Sequence, residues 1–403
     1  MLTIISLMFC MGANAPQKSG VIIKLVDGDV TVVYVDSKIA HTNHLVAQEI
    51  FTRKINAPYH EKIQMVMQKL EQGYNFRTAL LYCFPYLENA VTNFLHKTYV
   101  EAKDAQISFY PDSEEMFEIL PEQNGHKINE ARLYKDIYYA LCREKNVTIF
   151  GKRITIFPAI KKEQLKNQTF LRAKYSTDFS SSTSARKNNI MLAMSKINGT
   201  VLNNGESFSF NKTVGARTKE NGFLQAKIIV GGKYEDGFGG GVCQASTTMY
   251  NAALLSGLTI TEVKSHSLKV GYELASFDAM VNSASSDLKF VNESGGRIFI
   301  KAYCTQSNVC VEIYGQALLY TIKRRSKIIE EGDLPGYEEM IDIDNKYFDQ
   351  DTPSGSKKII SYPHASLKSE GYLDYYLGGI LFKSVKIRQD KYSQICGIIA
   401  VMP

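Results

Sequence analysis

Beyond its first residues the chain has no apolar run of the roughly 18 residues a spanning helix requires, so any membrane anchoring would have to act through the N-terminus. Charge of one sign is scarce too. A formal net charge of +6 and a pI near 8.7, with no concentrated basic patch, argue against a nucleic-acid partner. Cysteine is sparse: seven residues, at 10, 83, 142, 243, 304, 310 and 396, form neither a disulfide framework nor a Cys-x-x-Cys pair that would argue for zinc. Cys304 and Cys310 flank a turn at Gln306-Ser307-Asn308, which leaves a bridge between their strands open. Disorder is not indicated, because 44% hydrophobic and 22% charged residues fit a globular chain, and 403 residues accommodate two or three domains.

What is present centres on one stretch, Gly237-Phe238-Gly239-Gly240-Gly241-Val242-Cys243-Gln244-Ala245-Ser246-Thr247-Thr248. Four glycines in five residues give a loop without Cβ bulk, and the pattern after it predicts a helix from about Val242 to Ser256, stopped by Gly257. Cys243 then sits in a first helical turn, where unpaired N–H groups and the positive end of the dipole favour a thiolate. Gly239, Gly240 and Gly241 would let a substrate backbone approach the sulfur, with free N–H groups to hold an oxyanion. The plain alternative is a tight turn feeding a packed helix with a buried cysteine, and the local pattern alone does not decide.

The residues around it carry a resemblance. Phe179, Arg186, Asn189-Ile190, Ile197-Asn198-Gly199-Thr200-Val201-Leu202, Gly205 to Asn211, Val214 to Phe223, the glycine-cysteine stretch and His266-Ser267-Leu268 follow one another as in the VanW family. Together they resemble that family over roughly Tyr175 to Gly315. The resemblance implies a Gram-positive cell-envelope protein linked to L,D-transpeptidation of peptidoglycan, with Cys243 as the nucleophile. It implies no cofactor and no metal.

The resemblance also orders the chain. Met1 to Cys10 is apolar and Ala13-Asn14-Ala15 resembles a cleavage site, so residues 1–20 are expected to be a signal or anchor, although a basic leading region is missing and Cys10 sits in a poor lipoprotein box. Residues 21–170 begin with alternating strands, continue through helical patterns, and resemble the peptidoglycan-binding module that often precedes VanW domains; a spacer without a ligand is the alternative. Residues 171–315 are the VanW-like domain. It has an expected helix over Ala185 to Lys196 and strands near 208–210, 226–230, 259–263, 278–281, 288–291, 297–303 and 309–314. Residues 316–403 resemble an accessory β extension whose Lys323-Arg324-Arg325 run is expected on a solvated face. The expected class is α+β, and the location is extracellular or cell-wall associated.

A thiol nucleophile needs a base and a group to orient it. His266 is the one histidine inside the matching motifs, and Ser265, Ser267 and Asp278 are candidate orienters. Gln244, Ser246 and Thr247 follow the cysteine, either capping the helix or lining the site, with capping the simpler expectation. Stem peptides end in carboxylates, so Arg186 and Arg217 are candidate substrate holders, alongside Gln244 and Asp278; Glu220 is the obvious structural mate for Arg217. Near Ser276-Phe277-Asp278 the family often carries Gly or Arg before the Asp, so cation-based binding at that spot is in doubt. Peptidoglycan stem peptides are the expected partner. A cysteine hydrolase of NlpC type and a non-catalytic wall-binding protein remain as rival readings.

Overall fold

Alternation of apolar and polar side chains sets the first described strands, as a period of two demands of a half-buried sheet. The computed structural model describes residues 21–35, 57–144, 146–230, 233–283, 285–344, 346–349 and 351–403, so the expected signal and Cys10 lie outside the described residues. Contacts divide the chain into two compact units, Met1–Ala105 with Pro121–Lys161, and Gln106–Leu120 with Lys162–Pro403.

In the first unit, Val30–Val35, Ile22–Asp27 and Val147–Phe150 form a three-stranded sheet in that order, the outer pairings antiparallel and parallel respectively. Ile23, Leu25, Val32 and Tyr34 point into a core shared with Leu80, Val91, Phe94 and Ile137 from the helices. A helix runs Glu130–Cys142, and the Asn129 side chain accepts the Arg132 N–H at its start.

The second unit is built on an antiparallel sheet ordered Phe170–Asp178, Asn308–Gly315, Ile298–Cys304, Thr200–Leu202. Helices Ser184–Ile197 and Val242–Leu255 pack on this sheet. The hairpin Gln106–Phe109 with Phe117–Leu120 sets Phe109 and Phe117 against Phe299. In Val242–Leu255 every residue from Gln244 to Leu254 is buried, and Ala245, Ala252 and Ala253 keep its backbone close to its neighbours. A second sheet joins Ser207–Ser209, Lys289–Val291 and Thr259–Glu262, and a hairpin, Gln225–Val230 with Lys233–Phe238, runs directly into the glycine loop. Residues beyond 315 form two further three-stranded sheets, one of Thr321–Glu331, Leu367–Leu377 and Ile380–Tyr392, the other of Tyr337–Ile341, Gly397–Val401 and Lys357–Ser361. The fold is α+β.

Four expectations need correction. Residues 278–281 form no strand, for a reason that belongs to the site below. Phe210 opens a short helix, Phe210–Val214, because the Ser209 side chain accepts the Lys212 N–H and caps it. Cys304 and Cys310 are free thiols: Cys310 is opposite Tyr303 and Cys304 opposite Val309, so side chains one step apart on the ladder point to opposite faces. The basic run at 323–325 is not a uniformly solvated face. Alternation turns Arg324 inward, where it donates to Asn251 Oδ1 (2.5 Å), Glu273 Oε1 (2.9 Å) and Tyr175 Oη (2.8 Å), while Arg325 stays outside with Asp374.

Candidate active site around Cys243

Gly239 and Gly241 have φ of +82° and +102°, the left-handed region that glycine enters without strain, and Gly241 occupies the N-cap of the cysteine helix. A Cβ at Gly239 would lie 2.8 Å from the Cβ of Arg217, one at Gly241 would lie 2.7 Å from the Cγ of Arg186, and one at Gly240 would strike the Ala226–Lys227 backbone at 2.7 Å. The three glycines are therefore required by the protein's own packing. Their Cβ sides press against two arginine stems and the preceding hairpin, while Gly239 and Gly241 also line the cavity described below. Asn189 fixes the same loop, donating to Gly240 O (3.0 Å) and Leu224 O (2.9 Å) and accepting the Leu224 N–H (2.7 Å).

The residues after Cys243 do not cap the helix. Ser246 donates to Ala279 O (2.6 Å), Thr247 accepts the Ala279 N–H (3.0 Å), and Asn251 donates to Phe277 O (2.8 Å). Helix side chains thus take both backbone groups of Ala279 and the Phe277 carbonyl, which a strand partner would have used, and 278–281 joins no sheet. Gln244, 1% exposed, is a strut: its amide donates to Thr177 Oγ1 (3.0 Å) and Asp178 O (2.7 Å) and its oxygen accepts from Arg186 (2.8 Å).

Held in this way, Asp278 meets His266. One carboxylate oxygen, Oδ2, accepts both the His266 backbone N–H and Nδ1, each at 2.7 Å. Asp278 is 1% exposed and does not line the cavity, so its place is behind the histidine rather than on a substrate. With Nδ1 committed, Nε2 is the nitrogen left to exchange a proton with the half-buried Cys243 thiol. The Val281 carbonyl lies 3.4 Å from Sγ. Burial opposes ionisation, but the His266 hydrogen bond and charge, with the Val281 backbone contact and the nearby Arg217, outweigh it and hold the Cys243 thiol below its ordinary value of 9.0. Burial acts against the His266 charge in turn, yet Asp278 and Cys243 push the imidazole up to about 9. Both shifts favour a thiolate facing an imidazolium over the neutral pair.

Cys243 and His266 face a cavity of about 910 Å³. Arg217, Lys227, Lys264 and Lys391 line it, and among its described lining residues there is no carboxylate, so it suits an anionic ligand. Arg217 donates to Asn211 Oδ1 (2.6 Å) and stacks over Phe210, in place of the expected pairing with Glu220. Arg186 also lines the cavity but is braced by Ser182, Gln244 and the Tyr272 ring. Sequence reading missed Tyr272, Lys227, Lys264 and Lys391 on the cavity, and Arg388 and Tyr392 behind Asp278. Lys264, two residues before His266, and Tyr272, six after it, were near in sequence; the C-terminal pair lies more than 100 residues from the residue it contacts.

A family model described as "VanW like protein" matches residues 185–314, and one described as "Putative peptidoglycan binding domain" matches residues 47–149. YoaR of Bacillus subtilis (strain 168), described as an uncharacterized protein, is 31% identical over 208 residues, 51% of this chain and 69% of its own. The vancomycin B-type resistance protein VanW of Enterococcus faecalis (strain ATCC 700802 / V583) is 30% identical over 111 residues, 26% of this chain and 40% of its own. A solved structure, that of HP0197-G5, covers 20% of this chain and 96% of its own length at 17% identity and a TM-score of 0.11, which is too slight to bear on the fold. Among the described residues no helix is long and apolar enough to cross a membrane. The peptidoglycan-binding match beside the VanW match gives the chain a cell-wall-associated role. With Arg186, Arg217, Cys243 and His266 of the motif at one cavity and a relative 31% identical over 69% of that relative's length, the chain belongs to the VanW family.

Proposed function

We propose that the chain is an L,D-transpeptidase-like enzyme of the cell wall that cross-links peptidoglycan stem peptides through a thioester on Cys243. The observation that carries this reading is the Cys243–His266–Asp278 series beside a cavity lined by basic side chains and, among the described residues, by no carboxylate. The thiolate attacks the carbonyl carbon of the amide between the L-centre and the terminal D-residue of a tetrapeptide stem. Imidazolium His266 gives its Nε2 proton to the departing amine as the C–N bond breaks, leaving a thioester and a neutral imidazole. A side-chain amine of a second stem then attacks the thioester, His266 takes its proton, and the C–S bond breaks to return the thiolate. Splitting one aminolysis into two steps lowers each barrier, and no step requires a metal.

Asp278 keeps the imidazole oriented and stabilises its positive form. Arg217 lies close enough to the sulfur to favour negative charge there, and Lys227, Lys264 and Lys391 offer contacts for the carboxylates of the donor stem. The 21–170 region would hold the chain on its polymeric substrate.

Incubating the purified protein with disaccharide-tetrapeptide and identifying products by mass spectrometry tests the reading. Cross-linked dimers that vanish with Cys243→Ala are expected. Cleaved stems without dimers would identify a hydrolase instead, and no Cys243-dependent product would leave a wall-binding protein.

A further inference from the structure

The second unit's C-terminal sheet touches the candidate site at its least exposed point. In strand Ile380–Tyr392, Arg388, Asp390 and Tyr392 fall on the inner side, while Lys391 falls outward and lines the cavity. Tyr392 Oη donates to the second carboxylate oxygen of Asp278, Oδ1, at 2.7 Å, and accepts the Ser276 N–H at 2.7 Å. Arg388 donates from Nη1 to the Asp278 backbone carbonyl (2.7 Å), and its buried Nη2, with no hydrogen-bond partner among the described residues, lies 3.5 Å from Asp278 Oδ1. Asp390 steadies the guanidinium, accepting from Nε at 2.6 Å. The neighbouring strand adds Ser369, whose hydroxyl is 2.7 Å from that of Ser276, and Gly371, where a Cβ would lie 2.9 Å from Ser276 O. Ser276 itself holds a φ of +65°, unusual for a residue with a side chain.

His266 occupies one edge of Asp278, and this sheet occupies the other. We propose that Tyr392 and Arg388 are positioning residues of the catalytic series, so that the working site is completed by strand Ile380–Tyr392, outside the matched VanW segment 185–314. The proposal rests on the reading of Cys243 and His266 as a functional thiolate–imidazolium pair.

The chemistry has a defined direction. With a hydroxyl donor and a guanidinium on Oδ1, Asp278 stays ionised and leaves the Nδ1 proton on His266. Stripped of them, the desolvated carboxylate competes for that proton, the positive charge retreats from the sulfur, and the thiol becomes less acidic. The other titratable groups around the pair are Arg217 beside the thiol, Tyr272 and Lys264 on the cavity wall, and Lys391 at its rim, none of them altered by the substitutions below. Behind Asp278, Tyr250 lies under the Arg388 guanidinium and Asp390 pairs with it.

The test is the pH dependence of Cys243 alkylation by iodoacetamide in the full chain, followed by peptide mass spectrometry, which requires no transpeptidase substrate. For Tyr392→Phe the alkylation midpoint is expected to rise by about half to one pH unit, with alkylation at pH 7 slowed roughly three- to tenfold, the scale of one charge-assisted hydrogen bond partly transmitted. Arg388→Lys, which keeps the charge but loses the fork, is expected to move the midpoint in the same direction and serves if the first variant folds poorly. Arg325→Met, which breaks an outer pair on the same sheet, should leave the midpoint where it is. An unchanged midpoint in Tyr392→Phe and Arg388→Lys, or an equal shift in Arg325→Met, overturns the positioning role while leaving Cys243 chemistry intact. A wild-type Cys243 that titrates as an ordinary thiol overturns the underlying reading as well.

Discussion

Asp278→Asn removes one negative charge and little volume, and its consequence can be sized from the site. His266 is pushed from an ordinary 6.5 to about 9 although burial opposes its charge. That rise corresponds to roughly 3 kcal/mol favouring the imidazolium. Asp278 and Cys243 supply that preference between them. Assigning Asp278 about half gives a loss of roughly 2 kcal/mol, or on the order of tenfold weaker support for the thiolate. Turnover should fall further, by about a hundredfold, because the imidazole also loses the acceptor that fixes its tautomer. The assays are alkylation rate against pH, ultraviolet thiolate absorbance, and dimer formation from disaccharide-tetrapeptide, with circular dichroism confirming a folded variant. Wild-type alkylation and cross-linking in Asp278→Asn would refute the assignment of Asp278 as the orienting group.

Gly241→Ala should destabilise by about 1–3 kcal/mol and displace Arg186, since it combines a left-handed backbone with a 2.7 Å clash; thermal melting and cavity-directed alkylation report both effects. Arg324→Met leaves the buried Glu273 carboxylate without its cation and should cost about 3–5 kcal/mol in chemical denaturation, although Arg324 touches no cavity residue in this account. On stability against pH, the raised His266 contributes an increment that is complete below its unfolded value near 6.5 and lost as pH climbs through about 9. The depressed Asp278 contributes one present above its unfolded value near 3.8 and lost as pH falls through its lower folded value. Melting of wild type against His266→Gln should therefore converge above about pH 9. Thiol counting on denatured, unreduced protein should find both Cys304 and Cys310 alkylated, and a peptide carrying the two as a disulfide would contradict the register.

Where local rules decide structure, residue order was sufficient. Helix 242–255 follows from a glycine cap and small apolar residues, Glu130–Cys142 from an Asn cap and helical spacing, and the strands of 298–315 from alternation. Segment 278–281 misled because its apolar character is real but its backbone is claimed by Ser246, Thr247 and Asn251 across the helix, a tertiary preference with no periodic trace. Ser-Thr in the cysteine motif was legible as important and illegible in role: capping is a local rule, whereas clamping a segment some 30 residues later is not. Arg324 looked solvated because three consecutive cations usually are, and only the parity of strand Thr321–Glu331 turns the middle one inward. Cys243, His266 and Asp278 were named from motif and proximity, but the hold of Tyr392 and Arg388 on Asp278 spans a separation of more than 100 residues and had no signal to read.

The most direct measurement is intact-protein mass spectrometry after mixing the chain with tetrapeptide donor in the absence of an amine acceptor. The account predicts a mass gain equal to the donor less its terminal D-residue, located on Cys243, discharged by added amine and lost in Cys243→Ala. A chain that releases the D-residue without ever carrying the acyl group, or carries it on another residue, would contradict a thioester at Cys243.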